Sequence, residues 1–369
     1  MPSIPSSSNR VESSRPCRGT GQSGFSLVEV LITLGVMAIL AAFMFPSFWN
    51  FQRQGLAEIS KNDLLDRAER IKSFVADEIK MAGYMVGRNF STPLTIGANT
   101  YQTSIAVSNS DNGDDQITII KGESAFPPLF VNNYNSGSVP PTVEICAANT
   151  AFENPDGSPL SHDDIRGRIG LRAGTVYDLV SFGNQKRVYR LYDDANEGVN
   201  IGGTFAAKSN PDPTPPAGTC EETYDTRLVT LSLQETLRDD VPQGTEVFPV
   251  RARQISIVAS GGENQLRLSD QNQNEIIDRQ VDGLQFQYLV DGNWVDDPVA
   301  AGAGTEDIRA VRFYLLVRSL AVDKDRTDTT DYSPQMGPNV AANTYGPYND
   351  NFRRVVVVGE VEVKNYVTK

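Results

Sequence analysis

The first part of the chain contains a long apolar run that is interrupted by a single charge. From Phe25 through Gln52 the only ionisable side chain is Glu29, and the next charged residue is Arg53. About 20 apolar residues in a helix cover the hydrocarbon core of a bilayer. A carboxylate inside such a span costs about 2.5–3.5 kcal/mol and therefore marks a functional position by default. The pattern predicts a membrane-spanning helix with one functional carboxylate.

Beyond this run the pattern becomes amphipathic. Apolar residues recur every three or four positions, and charged residues lie between them. These apolar residues are Leu64, Ala68, Ile71, Val75, Ile79 and Ala82. This period is that of one buried helix face, and Gly83 provides a helix stop. The two patterns together predict one helix of more than 50 residues. Residues 25–52 form its apolar half and residues 53–83 its amphipathic half.

Residues 1–24 predict a flexible, basic leader. They are rich in Ser, Gly and Pro, and their charged residues are Arg10, Arg15 and Arg18 against Glu12. Positive charge before a span favours the cytoplasmic side, so the residues after the span are expected to be translocated. No small-x-small cleavage site of an ordinary secretory signal follows the apolar run. The run is therefore expected to stay attached to the domain that follows it.

The remaining residues, 84–369, predict a β-rich extracytoplasmic domain, as one large domain or two smaller lobes. Short β-rich runs alternate with Gly, Asn, Asp and Pro. The predicted strands are Thr103–Ser108, Gln116–Lys121, Thr175–Phe182, Arg187–Tyr192, Arg227–Leu233, Gln254–Ala259, Gln265–Leu268, Leu284–Val290, Ile308–Val317 and Arg353–Val363. Asp291-Gly292-Asn293 predicts a hairpin turn. Pro-rich segments at Ser209–Gly218 and Thr327–Tyr348 predict long surface loops.

The junction between the leader and the apolar run resembles a known processing motif. The segment Gly24-Phe25-Ser26-Leu27-Val28-Glu29 is similar to the prepilin cleavage and N-methylation motif of type IV pilins and type II secretion pseudopilins. The resemblance implies that a prepilin peptidase cuts after Gly24 and that Phe25 is N-methylated. It also implies that Glu29 pairs with the N-terminal ammonium of a neighbouring subunit, which makes a carboxylate tolerable in an apolar environment. Pro46 matches a kink-forming proline of such helices.

The same resemblance implies an α+β, pilin-like fold. A long N-terminal helix, with its apolar half in the membrane, would pack on a large antiparallel β-rich domain. The segment Ala82-Gly83-Tyr84 resembles PilW-type minor pilins, and so do the runs Arg309–Ser319 and Phe352–Val357. We therefore expect a PilW-like minor pilin that helps to initiate or cap a type IV pilus. Its expected partners are minor and major pilins, the prepilin peptidase and the inner-membrane assembly platform. Its expected location is the inner membrane, with a periplasmic domain, and then the pilus at the cell surface.

Two other functions share the N-terminal motif. One is a J-type pseudopilin near the tip of a type II secretion filament, and the other is a tip adhesin that uses the helix as a tether. The large domain and the Ala82-Gly83-Tyr84 segment favour the minor pilin, since J-type pseudopilins usually carry shorter domains.

Cysteine use fits an extracytoplasmic domain. Cys17 lies in the leader and would leave with it, so the mature chain keeps Cys146 and Cys220. An even pair in an oxidising compartment is most simply one disulfide. Its loop of about 70 residues would make it worth about 4 kcal/mol in the chain-entropy model. Two buried free thiols are the alternative.

The charge and the motif inventory argue against two classes of function. The formal net charge is −13, and it becomes about −15 without the leader. Nucleic-acid binding needs basic stripes, so none is predicted. The sequence has no Gly-x-Ser-x-Gly motif, phosphate loop or zinc signature, and its single histidine, His162, lies in a loop-like stretch. We therefore predict that the protein is not an enzyme.

One acidic segment has partial features of a calcium loop. Its alternating oxygen ligands are Asp270, Asn272, Asn274 and Asp278. Glu275, however, stands where the sharp turn of such a loop needs Gly, and Val281 stands where a bidentate Glu is needed. The alternative is a solvated turn, and no other cofactor is expected.

Overall fold

The structure is a computed structural model. It describes residues 26–87, 89–96, 99–110, 113–123, 129–139, 141–148, 179–182, 188–190, 199–200, 226–233, 236–237, 241–270, 274–323, 326–333 and 344–363. By internal contacts the chain divides into two compact units, Met1–Glu58 and Ile59–Lys369.

One helix, α1, runs from Leu27 to Lys80 and is 54 residues long. The prediction of a single helix of more than 50 residues is confirmed. The helix ends slightly before Gly83 because residues 81–86 form turns. Gly83 lies in these turns with a φ of +74°, a left-handed conformation that glycine adopts without steric cost.

The amphipathic part of α1 buries the predicted stripe. All six of its apolar residues are between 0% and 4% exposed; they are Leu64, Ala68, Ile71, Val75, Ile79 and Ala82. Full burial of a Leu, Ile or Val side chain stabilises a fold by about 1.5–3 kcal/mol. Packing of this stripe therefore determines which face of the helix meets the domain.

The strands of the described residues form three antiparallel sheets. A two-stranded sheet consists of β1 (Asn89–Ile96) and β2 (Asn99–Thr103). The largest sheet has eleven strands. They are β3 (Ile105–Ser108), β4 (Gln116–Gly122), β5 (Leu129–Asn135), β6 (Thr142–Ala148), β7 (Leu179–Phe182), β8 (Val188–Arg190), β9 (Val199–Asn200), β10 (Thr226–Ser232), β11 (Glu246–Ser260), β12 (Glu263–Ser269) and β13 (Asn274–Arg279). The third sheet has the order β15 (Asn293–Val295), β14 (Val281–Val290), β16 (Ala310–Val322) and β17 (Phe352–Glu362).

The long strand β11 organises the eleven-stranded sheet. It pairs with β12 and β4 along one stretch and with β5 and β7 near its start. The main path through the sheet is β13-β12-β11-β5-β6-β10-β9. Gln280, in a left-handed conformation with a φ of 65°, then carries the chain from β13 into β14 of the four-stranded sheet.

The helix and both larger sheets share one apolar core. Phe286 of β14 and Phe313 and Leu315 of β16 are buried in the same cluster as Ile71 and Val75 of α1. Side chains of a strand point alternately to the two faces of its sheet. One face of the four-stranded sheet contacts the shared apolar core, and the opposite face, called the second face below, carries polar and aromatic residues.

Each predicted strand overlaps an observed strand, and the predicted hairpin is confirmed. Asp291 and Gly292 both have positive φ angles, 49° and 82°, as the tight turn between β14 and β15 requires. Several observed strands were not predicted; they are β1, β5, β6, β9 and β13. Of these, β13 lies in the segment that the sequence suggested as an acidic turn. It is a strand because it pairs with β12 and because Ile277 packs against the main core.

The connection between β16 and β17 is the predicted surface loop, but part of it covers a sheet. Most described residues of Thr327–Tyr348 are exposed, whereas three tyrosines lie against the second face of the four-stranded sheet. Tyr332, Tyr345 and Tyr348 pack against the buried residues Tyr314 and Leu316 of β16. Composition predicted the loop correctly, but not that its tyrosines would cover the sheet.

Candidate assembly site

The start of α1 holds the carboxylate that the sequence singled out. Ser26 precedes the helix, and its carbonyl oxygen accepts hydrogen bonds from Glu29 N at 2.9 Å and Val30 N at 3.2 Å. Glu29 therefore lies in the first turn, where the helix dipole favours a negative charge. Its side chain is exposed, and no hydrogen bond or ion pair to its carboxylate is found among the described residues.

The apolar half of α1 is exposed along its length. The side chains of Leu27, Met37 and Phe43 are 76%, 66% and 75% exposed. Within the described residues, this is the one helix long and apolar enough to cross a membrane, and its most apolar 18-residue window is entirely unburied. Exposed apolar surface of this extent needs lipid or protein around it. Glu29 lies at one end of that surface.

Two hydroxyl groups inside this half are hydrogen-bonded within the helix. Thr33 Oγ1 donates to the carbonyl oxygens of Glu29 and Val30, both at 2.9 Å, and Ser47 Oγ donates to Phe43 O at 3.3 Å. The helix continues through Pro46, which removes one backbone donor. The kink expected at Pro46 stays a prediction. Apart from Glu29, the described residues of this half carry no charged side chain.

Several predicted positions lie outside the described residues. They are Gly24 and Phe25 at the cleavage site, Cys220, Asn272 and His162. Cys146 belongs to β6, where it pairs with Leu228 of β10 and Phe130 of β5. The Cys146–Cys220 disulfide therefore stays a prediction.

The candidate calcium ligands lie at different places on the β12–β13 hairpin. Asp270 follows β12 and pairs with Arg251 at 3.1 Å, whereas Asn274 begins β13. Asp278 lies towards the end of β13, where Arg67 donates to both of its carboxylate oxygens. No group of three or more potential metal-binding side chains is found in the described part of the chain. Calcium binding at this segment stays a prediction.

Comparison with known proteins identifies the N-terminal region. The family described as the prokaryotic N-terminal methylation motif matches residues 19–45, which include Gly24, Phe25 and Glu29. A type IV-like pilin from Thermus thermophilus is similar in structure, with 12% identity and a TM-score of 0.33, over 83% of this chain and 100% of that chain. The family match covers the N-terminal motif of this chain and not the domain that follows it. No curated protein matches its sequence.

The matched methylation motif covers the start of the long helix α1. An apolar N-terminal helix with a prepilin-type motif favours membrane anchoring. Glu29 and the exposed apolar residues around it lie within the matched residues 19–45.

Sequence reasoning missed the charged residues that join α1 to the sheets. Arg67 is only 8% exposed, and Glu78 on the same helix has a side chain that is only 12% exposed. The available signal for Arg67 was its place between Leu64 and Ala68, next to the predicted apolar stripe. Its acceptor, Asp278, lies 211 residues away and gave no local sign of this role.

Proposed function

We propose that this protein is a PilW-like minor pilin that takes part in the initiation or tip complex of a type IV pilus. The observation that carries the proposal is the exposed apolar half of α1 with one carboxylate, Glu29, in its first turn and inside the matched methylation motif. The proposal includes cleavage between Gly24 and Phe25 by a prepilin peptidase and N-methylation of Phe25.

Assembly would use the new N-terminus as the partner of Glu29. Cleavage leaves an ammonium on Phe25, and a neighbouring subunit offers its Glu29 at the same depth of the apolar layer. An ion pair is strong where water is excluded, and an unpaired carboxylate there is costly. The pairing would therefore drive the subunit from the membrane into the filament. Partners are other pilins and the inner-membrane assembly platform, and the domain beyond α1 lies in the periplasm before assembly.

A substitution at Glu29 tests this role. Glu29→Ala should leave leader cleavage intact and reduce incorporation into purified filaments at least tenfold. Thr33→Ala is the matched control, because Thr33 bonds only to carbonyls of its own helix. Thr33→Ala should enter filaments at the wild-type level. If Glu29→Ala enters filaments as Thr33→Ala does, the charge-pairing role is wrong.

The cleavage site is tested by mass spectrometry of the mature N-terminus. The expected product begins at Phe25 and carries one added methyl group. Gly24→Asp should abolish the product, and a mature chain beginning at Phe25 in that variant contradicts the assignment.

Recovery of the wild-type subunit in surface pili supports the minor pilin. Its recovery only in a periplasmic secretion filament would replace that function with the J-type pseudopilin.

The periplasmic location supports one disulfide between Cys146 and Cys220. Alkylation of the denatured, unreduced mature chain should then leave both cysteines unlabelled. Labelling of both would show two free thiols instead.

A further inference from the structure

Two charged residues of α1 contact the eleven-stranded sheet beside the buried apolar stripe. The first, Arg67, donates from Nε and Nη2 to the carboxylate of Asp278 at 2.7–3.0 Å. Its Nη2 also donates to the carbonyl oxygen of Arg279 at 2.7 Å. The side chains of Arg67 and Asp278 are only 9% and 15% exposed. Fork-shaped pairing of this kind restricts both distance and orientation.

The second contact has the opposite polarity. Glu78 accepts from Lys121 Nζ of β4 at 2.8 Å and lies 3.5 Å from Arg253 Nη1 of β11. Glu78 and Lys121 are 12% and 9% exposed. The helix thus presents a cation near one end of its packed part and an anion near the other. The sheet presents the complementary charges on different strands.

The spacing of the two contacts places them on one side of the helix. Positions 67 and 78 are separated by about three turns, so their side chains differ by only about 20° around the axis and by about 16 Å along it. The apolar stripe repeats every three or four residues, so a slide by one turn, about 5.4 Å, would still bury apolar side chains. The charged contacts occur only at positions 67 and 78, so the same slide would move both away from their partners on the sheet.

We infer that Arg67 and Glu78 form a two-point clamp that fixes the rotation and the axial register of the helix on the sheet. A one-turn slide would separate Arg67 from Asp278 and Glu78 from Lys121, and loss of the partner of a buried charge is strongly unfavourable. Lys121 and Arg253 would keep Glu123 as a partner, so the cost falls mainly on Arg67, Asp278 and Glu78. Reversal of the helix would bring Arg67 towards Lys121 and Arg253. If the proposed function holds, Arg67 is a positioning residue for assembly, because the domain must follow the helix as one body when the helix enters a filament.

Hydrogen exchange tests the clamp independently of any pilus. In the full chain in detergent micelles, Arg67→Met should speed exchange of the amides of residues 64–71 at least tenfold. Lys72→Met is the matched control, since Lys72 pairs with Glu69 on the exposed side of the same helix. It should leave these amides within twofold of wild type. Equal exchange in the two variants would overturn the clamp.

Filament incorporation tests the positioning role. At equal folded abundance, Arg67→Met should enter filaments at least fivefold less than Lys72→Met. Val75→Ala controls for a general loss of stability, because Val75 is a fully buried apolar residue of the same stripe. This variant should enter filaments at the wild-type level. The conservative variant Arg67→Lys should recover part of the incorporation, because it keeps the charge and loses the fork.

The outcomes separate this inference from the proposed function. If Glu29→Ala fails to assemble while Arg67→Met and Val75→Ala assemble equally, the positioning role is wrong and the proposed function stands. If Glu29→Ala assembles normally, the charge-pairing role in the proposed function is wrong, and the exchange measurement alone decides on the clamp.

Discussion

Two groups of aspartates lie beside strand β14 and are stabilised in different ways. In the first group, the arginine cluster, Asp282, Asp328 and Asp350 surround Arg354. The second group, the aspartate cap, consists of Asp114 and Asp115. In the arginine cluster a guanidinium compensates the carboxylates, whereas in the cap the contacts come from neutral N–H and O–H groups. The difference shows how the donor, and not the burial alone, determines the charge state of a carboxylate.

The arginine cluster is built around one fully buried guanidinium. Arg354 Nε donates to Asp282 at 2.7 Å, Nη1 donates to Asp328 at 2.9 Å, and both Nη atoms donate to Asp350 at 2.6–2.7 Å. The ring of Tyr348 stacks on the guanidinium at 3.6 Å. Burial, the largest single influence, opposes ionisation of Asp328, but hydrogen bonds from Arg354, Tyr332 and Thr330 together outweigh it and lower the pKa of Asp328. Hydrogen bonds from Arg354 likewise lower the pKa of Asp350.

The aspartate cap binds an edge of strand β14 through backbone N–H groups. Asp114 accepts from Leu284 N at 2.9 Å, and Asp115 accepts from Phe286 N at 2.8 Å and Ser110 N at 3.0 Å. Burial, only partly offset by these bonds, raises the pKa of both carboxyl groups, that of Asp115 to about 6. On acidification the Asp115 carboxyl therefore binds its proton at a higher pH than the carboxyl groups of Asp328 and Asp350.

The largest predicted effect follows from removal of the central guanidinium. Arg354→Met should lower the free energy of unfolding by about 3–5 kcal/mol, because it leaves buried carboxylates without a cation. Arg312→Met is the control, since Arg312 pairs with Glu360, whose side chain is 57% exposed. Exposed pairs contribute about 0–1 kcal/mol. Chemical denaturation of the full chain in detergent micelles measures both, and equal losses would contradict a special role for Arg354.

The two groups should respond oppositely to pH. The pKa of Asp115 is about 6 in the folded protein, above its unfolded value, so the folded state binds the proton more tightly. This stability is complete below about pH 4 and is lost as pH rises through 6, by at most about 3 kcal/mol. For Asp328 and Asp350, whose pKa is lowered, the stability is present above about pH 4 and is lost on further acidification.

Asp115→Asn isolates the contribution of the cap. In this variant, unfolding free energies measured from pH 4 to pH 7 should lose the decline that the wild-type protein shows. The loss of stability below pH 4 should persist, because the arginine cluster is unchanged. A wild-type profile that rises steadily from pH 4 to pH 7 would show that Asp115 does not hold its proton in the folded state.

A smaller effect is expected where the β16–β17 connection touches the sheet. A Cβ at Gly283 would lie 2.8 Å from the ring of Tyr345. Gly283→Ala must therefore displace this tyrosine from its place between the arginine cluster and the aspartate cap. Such overpacking costs about 1–3 kcal/mol. Gly55→Ala is the control, because nothing lies within 4 Å of a Cβ there. If Tyr345→Ala does not reduce the effect of Gly283→Ala, the predicted clash is wrong.

The sequence predicted the parts of this fold whose signals are local. The stripe from Leu64 to Ala82 follows the period of a helix face, and the turn at Asp291-Gly292 has the residues that its backbone needs. The candidate assembly site is equally local, because its proposed cleavage position, its carboxylate and its apolar run lie within residues 25–52 and the leader before them. Such features need no knowledge of distant contacts.

The charged contacts could not be predicted, because their partners are far apart in the chain. Arg67 meets Asp278 across 211 residues, and Arg354 meets Asp282 across 72. In the sequence both arginines resemble ordinary surface charges. The connection around Asp328 has a loop composition, and only the folded sheet shows that this aspartate is fully buried. Chemistry that depends on long-range pairing therefore emerged from the structure alone.

The smallest predicted effect concerns Tyr345, whose hydroxyl joins the connection to the cap. The hydroxyl donates to Asp114 at 3.0 Å and accepts from Gln285 Nε2 at 2.9 Å. Tyr345→Phe keeps the ring and removes both bonds, so it should cost about 1 kcal/mol at neutral pH. Because the hydroxyl favours the ionised form of Asp114, its loss should raise the pKa of Asp114 further. Nuclear magnetic resonance titration of the Asp114 carboxyl resonance measures this change, and an unchanged midpoint would mean that the hydroxyl does not influence the cap.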